Sequence, residues 1–199
     1  MFGKAELIEA IASTNRGLLA SESDRKVIQS AITRLEGYNP TPSPLTATDL
    51  LAGDWRLLYT TSQELLGIDR VPLARLGQIY QCIRTADQRI FNIAEVESPF
   101  SLSGIVCVSA RFQPVSERRV NVAFERGVLG LQTWLGYRSP SQFIEKLETN
   151  EKLSLFQGLD FRINSDRQQG WLEVTYLDHD LRIGRGNEGN LFVLKKVMP

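Results

Sequence analysis

The feature that most limits what this chain can fold into is a change in the spacing of its apolar residues. Up to Thr48 they recur at helical intervals, and beyond it mostly at every second position. Before the change, Leu7, Ile8, Ile11 and Ala12 form one helical stripe with Gly17 as its stop. Val27, Ile28, Ala31 and Leu35 form a second, closed by Gly37. Ser21 or Ser23 is placed to cap the second helix, with Glu22 and Asp24 favourable near its N-terminus. The stretch NPTPSP over 39–44 cannot continue a helix, because proline lacks the amide donor and restricts the residue before it. These signals predict a helical segment and Pro-rich connector over residues 1–45, packed on a domain formed by residues 46–199.

Beyond the change, strands are predicted at Asp54–Thr61, Gln78–Arg84, Arg89–Val96, Gly104–Gln113, Arg119–Arg126, Leu159–Ile163, Trp171–Leu177, Asp180–Arg185 and Asn190–Lys196. Many short strands separated by turn residues predict a mostly β chain, an antiparallel barrel or sandwich with N-terminal α-helices. A slip of one residue turns every side chain over, so the register giving one apolar face can be sought for each hairpin. With Ala86-Asp87 at the turn, Ile79 opposes Ala94, Gln81 opposes Asn92 and Ile83 opposes Ile90. With Phe112 opposite Val120, Val106, Val108, Ala110, Phe112, Val120, Val122 and Phe124 share a face. A turn at Asp178-His179 gathers Leu172, Val174, Tyr176, Leu181 and Ile183 and sends Arg182 to the other side. The result is an enclosed apolar interior free of Lys and Arg, lined by Tyr59, Ile79, Gln81, Ile83, Asn92, Phe112, Phe124 and Tyr176, with Leu57 packing its floor.

Gln81 and Asn92 are the polar exception. Unpaired amides in an apolar interior are costly, so either they bond to each other or to buried water, or they hold the polar head of a ligand. Between Gly127 and Gly158 the alternation breaks, and Ser139-Pro140 carries helix-starting chemistry. This apolar segment reads as a plug under the barrel or as a lid over it, with Leu131, Trp134 and Leu135 as candidate lid or membrane contacts.

Equal numbers of basic and acidic residues, 23 each, give no general attraction to phosphate backbones, and nucleic acid is not expected as a partner. Cys82 and Cys107 lack a CxxC spacing and read as reduced thiols on strands. The N-terminus does not read as a signal peptide, and no stretch is long enough to span a membrane. Gly184-Arg-Gly-Asn-Glu-Gly189 matches GxGxxG, but no helix or further lobe follows, so a tight hairpin with Gly186 and Gly189 at positive φ is the better reading. His179, the one histidine, sits in a turn beside Asp178 and Asp180 with no second ligand spacing, and no nucleophile elbow is present. No catalytic residues, metal or cofactor are expected.

LLAGDWRLLYTTS contains Gly53-Asp54-Trp55, similar to the GxW that opens the first strand of lipocalins, where the Trp closes one barrel end under an Arg from a late strand. Arg182 or Arg185 could take that part. RLEGYNPTP at 34–42, LAGDWRLLYT at 51–60, Tyr80-Gln81, Asn92, and Trp171 through YLDHDLRIGRGNEGNLFVL at 176–194 together resemble the plastid-lipid-associated protein or fibrillin family. The resemblance implies a lipocalin-like barrel, binding of carotenoids, quinones or related isoprenoids, and peripheral association with thylakoids or lipid bodies. Lacking a transit peptide, the chain looks like a cyanobacterial member, cytoplasmic or peripheral to thylakoids, or a processed plastid one of the stroma or plastoglobule. The protein partner is left open. Two alternatives remain: a bilin lyase or chaperone for phycobiliproteins, which would favour interior cations for propionates, and a filled barrel that serves as an interaction scaffold.

Overall fold

The computed structural model describes residues 3–66, 75–97, 102–149, 153–154, 156–164 and 169–198. Two helices come first, α1 (Lys4–Ala12) and α2 (Glu22–Glu36), followed by the short α3 (Thr48–Leu51), β1 (Gly53–Thr60) and α4 (Gln63–Leu66). A meander follows: β2 (Arg75–Arg84), β3 (Arg89–Glu97), β4 (Gly104–Pro114) and the long β5 (Arg119–Leu131). Then come α5 (Gln132–Leu135), α6 (Pro140–Thr149), β6 (Leu159–Arg162), β7 (Gln169–Leu177), β8 (Leu181–Gly186) and β9 (Leu191–Lys196). Ser21 caps α2 in a reciprocal capping box with Asp24, as its position before the apolar stripe predicts.

All strand pairings are antiparallel. β9 pairs with β1, and β4 pairs with β5, which closes β1–β5 and β7–β9 into an eight-stranded barrel. The first half of β5 pairs with β7 and its second half with β6, so β6 forms an extension beside the barrel. Closure gives every barrel strand a partner on each side along at least part of its length, which is how an antiparallel sheet of this size limits edge-to-edge aggregation.

Among the described residues three apolar clusters result, one inside the barrel and two outside. Under α1 and α2, Leu7, Ile11, Ile28, Ile32 and Leu35 pack on outward-facing Tyr59, Tyr176, Leu181, Ile183 and Val193. On another part of the wall, Leu135, Phe143, Ile144 and Leu147 pack on Cys82, Phe91, Ile93, Ile105, Cys107 and Val128. Among the described residues of the segment expected to plug or cover the barrel, the two helices lie instead against the outside of the wall. β5 runs on to Leu131, and α5 and α6 lie on the outer face, where Leu135 is buried and Trp134 is 62% exposed. The apolar face of α6 needs an apolar partner, and the outward residues of β2–β5 supply it.

The register of β2 and β3 is the one the sequence predicts, with Ile79, Gln81 and Ile83 opposite Ala94, Asn92 and Ile90. That of β4 and β5 differs by two residues: Phe112 faces Val122, and Pro114 faces Val120. A shift of two keeps the same face inward. Bulges do more. One between Leu57 and Tyr59 keeps Leu57 inside and turns Tyr59 outward, and one between Val174 and Tyr176 turns Tyr176 out and brings Leu177 in. With Tyr176 opposite Ile183 and Leu177 opposite Arg182, the predicted faces of β8 are reversed, and Arg182 points into the interior. In the β8–β9 hairpin Gly189 has φ +73°, whereas Gly186, at φ −125°, is extended, contrary to the expected positive value.

The Asp178 carboxylate fastens α1 to the β7–β8 turn. It accepts hydrogen bonds from Lys4 Nζ at 2.9 Å, from the Tyr176 hydroxyl at 2.7 Å and from the backbone N–H of Asp180 and Leu181. Burial alone would raise its pKa, but these donors outweigh it and hold the carboxyl well below the usual range. A carboxyl whose folded pKa is depressed contributes stability that is fully present above the ordinary Asp value of about 3.9 and is lost as pH falls through the folded pKa. Asp178→Asn is expected to lower stability at neutral pH by about 2 kcal/mol and to flatten the loss of stability below about pH 4. Denaturant melts across that range check this, and an unchanged neutral-pH midpoint would count against the fastening role.

Candidate functional site

The interior has a packed end and an open end. At the packed end Leu51 of α3, Trp55, Ile83, Phe112, Val120 and Leu177 are buried together. Gly53 has φ +126°, a conformation that side-chain-bearing residues rarely adopt, and it brings the chain from α3 into β1. Trp55 is completely buried, and its indole N–H donates to the Leu51 carbonyl at 2.9 Å. Two cations flank the ring: the Arg182 guanidinium carbon lies 5.1 Å and Lys196 Nζ 5.2 Å from its centroid. Of the two arginines expected to stack there, Arg182 does so. Arg185 instead forms a two-pronged ion pair with Glu36 of α2, at 3.0 and 2.8 Å.

Arg182 is 1% exposed and crosses the interior from β8 to β2, where Nη2 donates to Gln81 Oε1. Gln81 Nε2 donates in turn to Asn92 Oδ1 at 3.0 Å. Among the described residues, Nε and Nη1 of Arg182 have no hydrogen-bond partner. Burial pushes the guanidinium pKa down to about 9, so it is still cationic at neutral pH. Burial, followed by the Arg182 charge, also lowers the pKa of Lys196. The expectation of an interior without Lys or Arg is thereby corrected, because the bulge in β7 changes which residues of β8 face inward.

Above the Gln81–Asn92 pair lies a cavity of about 580 Å³, lined chiefly by apolar side chains including Leu57, Ile79, Ile90, Val108, Val122, Phe124, Leu172, Phe192 and Leu194. Ser62, Ile163, Asn187 and Asn190 border it as well. Its size falls within the range of small-molecule sites, roughly 300–1,000 Å³. Two glycines belong to the wall, Gly170 opposite Val122 and Gly186 opposite Leu172. A Cβ on Gly186 would come within 3.1 Å of the Phe192 ring, while one on Gly170 would meet Asn187 at an ordinary 3.5 Å.

Of the eight residues expected to line the interior, Ile79, Gln81, Asn92 and Phe124 border this cavity. Ile83 and Phe112 face inward but lie in the packed end, and Tyr59 and Tyr176 are in the outer core under the helices. Leu131, Trp134 and Leu135 are not among the described residues that line the cavity. Val108, Phe192 and Leu194 were not singled out. For Val108 the signal was available, since it shares the β4 face already assigned and sits opposite Asn92. For Phe192 and Leu194 it was not, because LFVLKK is apolar at both parities. His179 is 76% exposed on its side chain, and the neighbouring carboxylates of Asp178 and Asp180 are taken by Lys4. Among the described residues, no helix is long and apolar enough to cross a membrane.

An up-and-down barrel closed at one end by a Trp–Arg stack and holding an apolar cavity at the other defines a lipocalin-like class of protein. Comparison with known sequences gives the family: the PAP_fibrillin model matches residues 1–195, and the chain belongs to that family. It is 33% identical to the probable plastid-lipid-associated protein 2, chloroplastic, of Arabidopsis thaliana, over 97% of this chain and 70% of that protein. It is 34% identical to the light-induced protein, chloroplastic, of Solanum tuberosum, over 97% and 66% of the two chains. The chromoplast-specific carotenoid-associated protein of Cucumis sativus is 32% identical, over 97% and 67%. The chain thus spans about two thirds of the length of these relatives. No solved structure matches it.

Removing a buried cation that has no carboxylate partner among the described residues relieves a desolvation penalty even as it forfeits the cation–π contact, worth about 2 kcal/mol when desolvated. Arg182→Met is accordingly expected to fold, with stability within about 2 kcal/mol of the parent. Thermal and denaturant melts measure this, and an unfolded variant would show that the guanidinium serves the scaffold.

Proposed function

We propose that this protein is a non-catalytic carrier that binds or sequesters an apolar molecule in the barrel cavity. Isoprenoids such as carotenoids or quinones, or other lipids, are the ligand class. The observation that carries this reading is the cavity itself, large, predominantly apolar and adjoined by one buried polar pair. Burying roughly 300 Å² of apolar ligand surface contributes on the order of 7 kcal/mol at about 25 cal/mol per Å², which supports retention without covalent chemistry. The names of the relatives, plastid-lipid-associated and carotenoid-associated, agree with it, and none denotes a reaction.

The working location is a photosynthetic membrane or lipid body. In a cyanobacterium this is the thylakoid surface or adjoining cytoplasm, and for a processed plant protein the stroma or plastoglobule. Peripheral contact with the membrane is supported by Leu129, Leu159 and Phe161, which are 45–59% exposed on one face of the β5–β6 extension. β6 leads from them to Ile163 at the cavity. The bilin reading draws nothing from the interior cations: Arg182 lies sealed behind Gln81, and no Lys or Arg is among the described residues lining the cavity. The filled-barrel scaffold is disfavoured by the same unfilled volume.

Protein purified from its native host under mild conditions is expected to carry a pigment or lipid detectable by absorbance and mass spectrometry. Val108→Trp, which adds bulk inside the cavity, should fold normally and lose most of that material. Equal loading of parent and variant would remove the cavity as the binding place, and reproducible absence of ligand from the parent would favour the scaffold.

A further inference from the structure

We infer that the cavity takes its ligand polar end first, and that this end is a carbonyl or carboxylate oxygen accepting a hydrogen bond from Asn92. The inference rests on the carrier reading above and adds the chemistry of the head. An isolated Gln–Asn pair could offer either a donor or an acceptor to its surroundings, because each amide carries both. Arg182 removes that freedom. A guanidinium has only donors, so the oxygen of Gln81 must face it and the nitrogen of Gln81 must face away. That nitrogen donates to Asn92 Oδ1, which leaves Asn92 Nδ2 as the outward end of the relay. Among the described residues Nδ2 has no partner, and Asn92 borders the cavity.

The relay is polarised in one direction, from a cation through two amides to a terminal N–H, and each bond strengthens the next. The field has the same sign. Among the described residues no carboxylate acts on Arg182, and Lys196 adds a second positive charge at the packed end. An acceptor oxygen therefore satisfies both the open donor and the potential. A pure hydrocarbon satisfies neither, and an amine opposes the potential.

The test compares three chains of similar length, methyl nonyl ketone, decanoate and undecane, by displacement of phenylnaphthylamine fluorescence from the full-length protein. The ketone and decanoate are expected to displace the probe about tenfold more effectively than undecane, the factor one well-made hydrogen bond supplies. Asn92→Leu should bring ketone and undecane to parity. Asn92→Asp, whose carboxylate would accept from Gln81 and turn an oxygen to the cavity, should weaken decanoate by more than tenfold and leave undecane unchanged. Circular dichroism establishes that each variant is folded, and either one alone decides the matter. Equal displacement by ketone and undecane in the parent overturns the inference and leaves the carrier reading standing. Failure of all three chains to displace the probe overturns both.

Discussion

A charged group can be enclosed in a protein only if something offsets several kcal/mol of lost hydration, and among the described residues no carboxylate does so for Arg182 at the packed end of this barrel. The offset comes from the face of Trp55 and the oxygen of Gln81. These contacts draw together β8, β1 and β2, joining the beginning of the barrel to its last turns in sequence. Trp55 is held in turn by the Leu51 carbonyl and flanked by Lys196 of β9, which donates to the Leu50 carbonyl. Closing one end of the barrel and orienting the amides at the floor of the cavity are thus accomplished by a single assembly. A chain with an apolar residue at 182 could close the same end but would leave the amide pair without a direction.

How far the sequence foretells this depends on what each strand buries. For β2 and β3 a tight turn and one consistently apolar face admit a single register, and the structure has that register. For β4 and β5 the connection 115–118, four residues like that between β2 and β3, leaves the pairing two residues from the predicted one, which changes partners without changing sides. In β1 and β7 a bulge inserts one residue, and the alternation continues on the opposite side. Nothing in Leu57-Leu58-Tyr59 or Tyr176-Leu177 marks the insertion, because inward and outward positions are both apolar there. Tyr59, Tyr176 and Arg182 were misplaced for that reason, while the GxW motif still pointed to Arg182 by its chemical role.

The underlying cause is that much of the wall is covered on both sides. α1 and α2 cover one stretch, and α5 and α6 cover another, so few strands keep the solvated face that fixes parity in a simpler barrel. The cysteines fit this arrangement. Cys82 and Cys107 are small buried residues beneath α6, and burial pushes both thiols up, Cys107 to about 12, which leaves them with little thiolate character. The segment 127–158 looked like a stopper for the barrel because it is apolar. Within it α5 and α6 sheathe the wall instead, a distinction that depends on the outward residues of four strands and not on the helices themselves.

Gly170 and Gly186 set the capacity of the cavity by what they lack. One position would accept a methyl group at ordinary contact, and the other only if Phe192 yields by a few tenths of an ångström. Neither takes part in the Trp–Arg assembly or in the fastening of α1. Room for cargo and integrity of the shell are therefore controlled at separate addresses, so a lineage of such barrels can be graded in girth, one carbon at a time, while the scaffold that carries them stays unaltered.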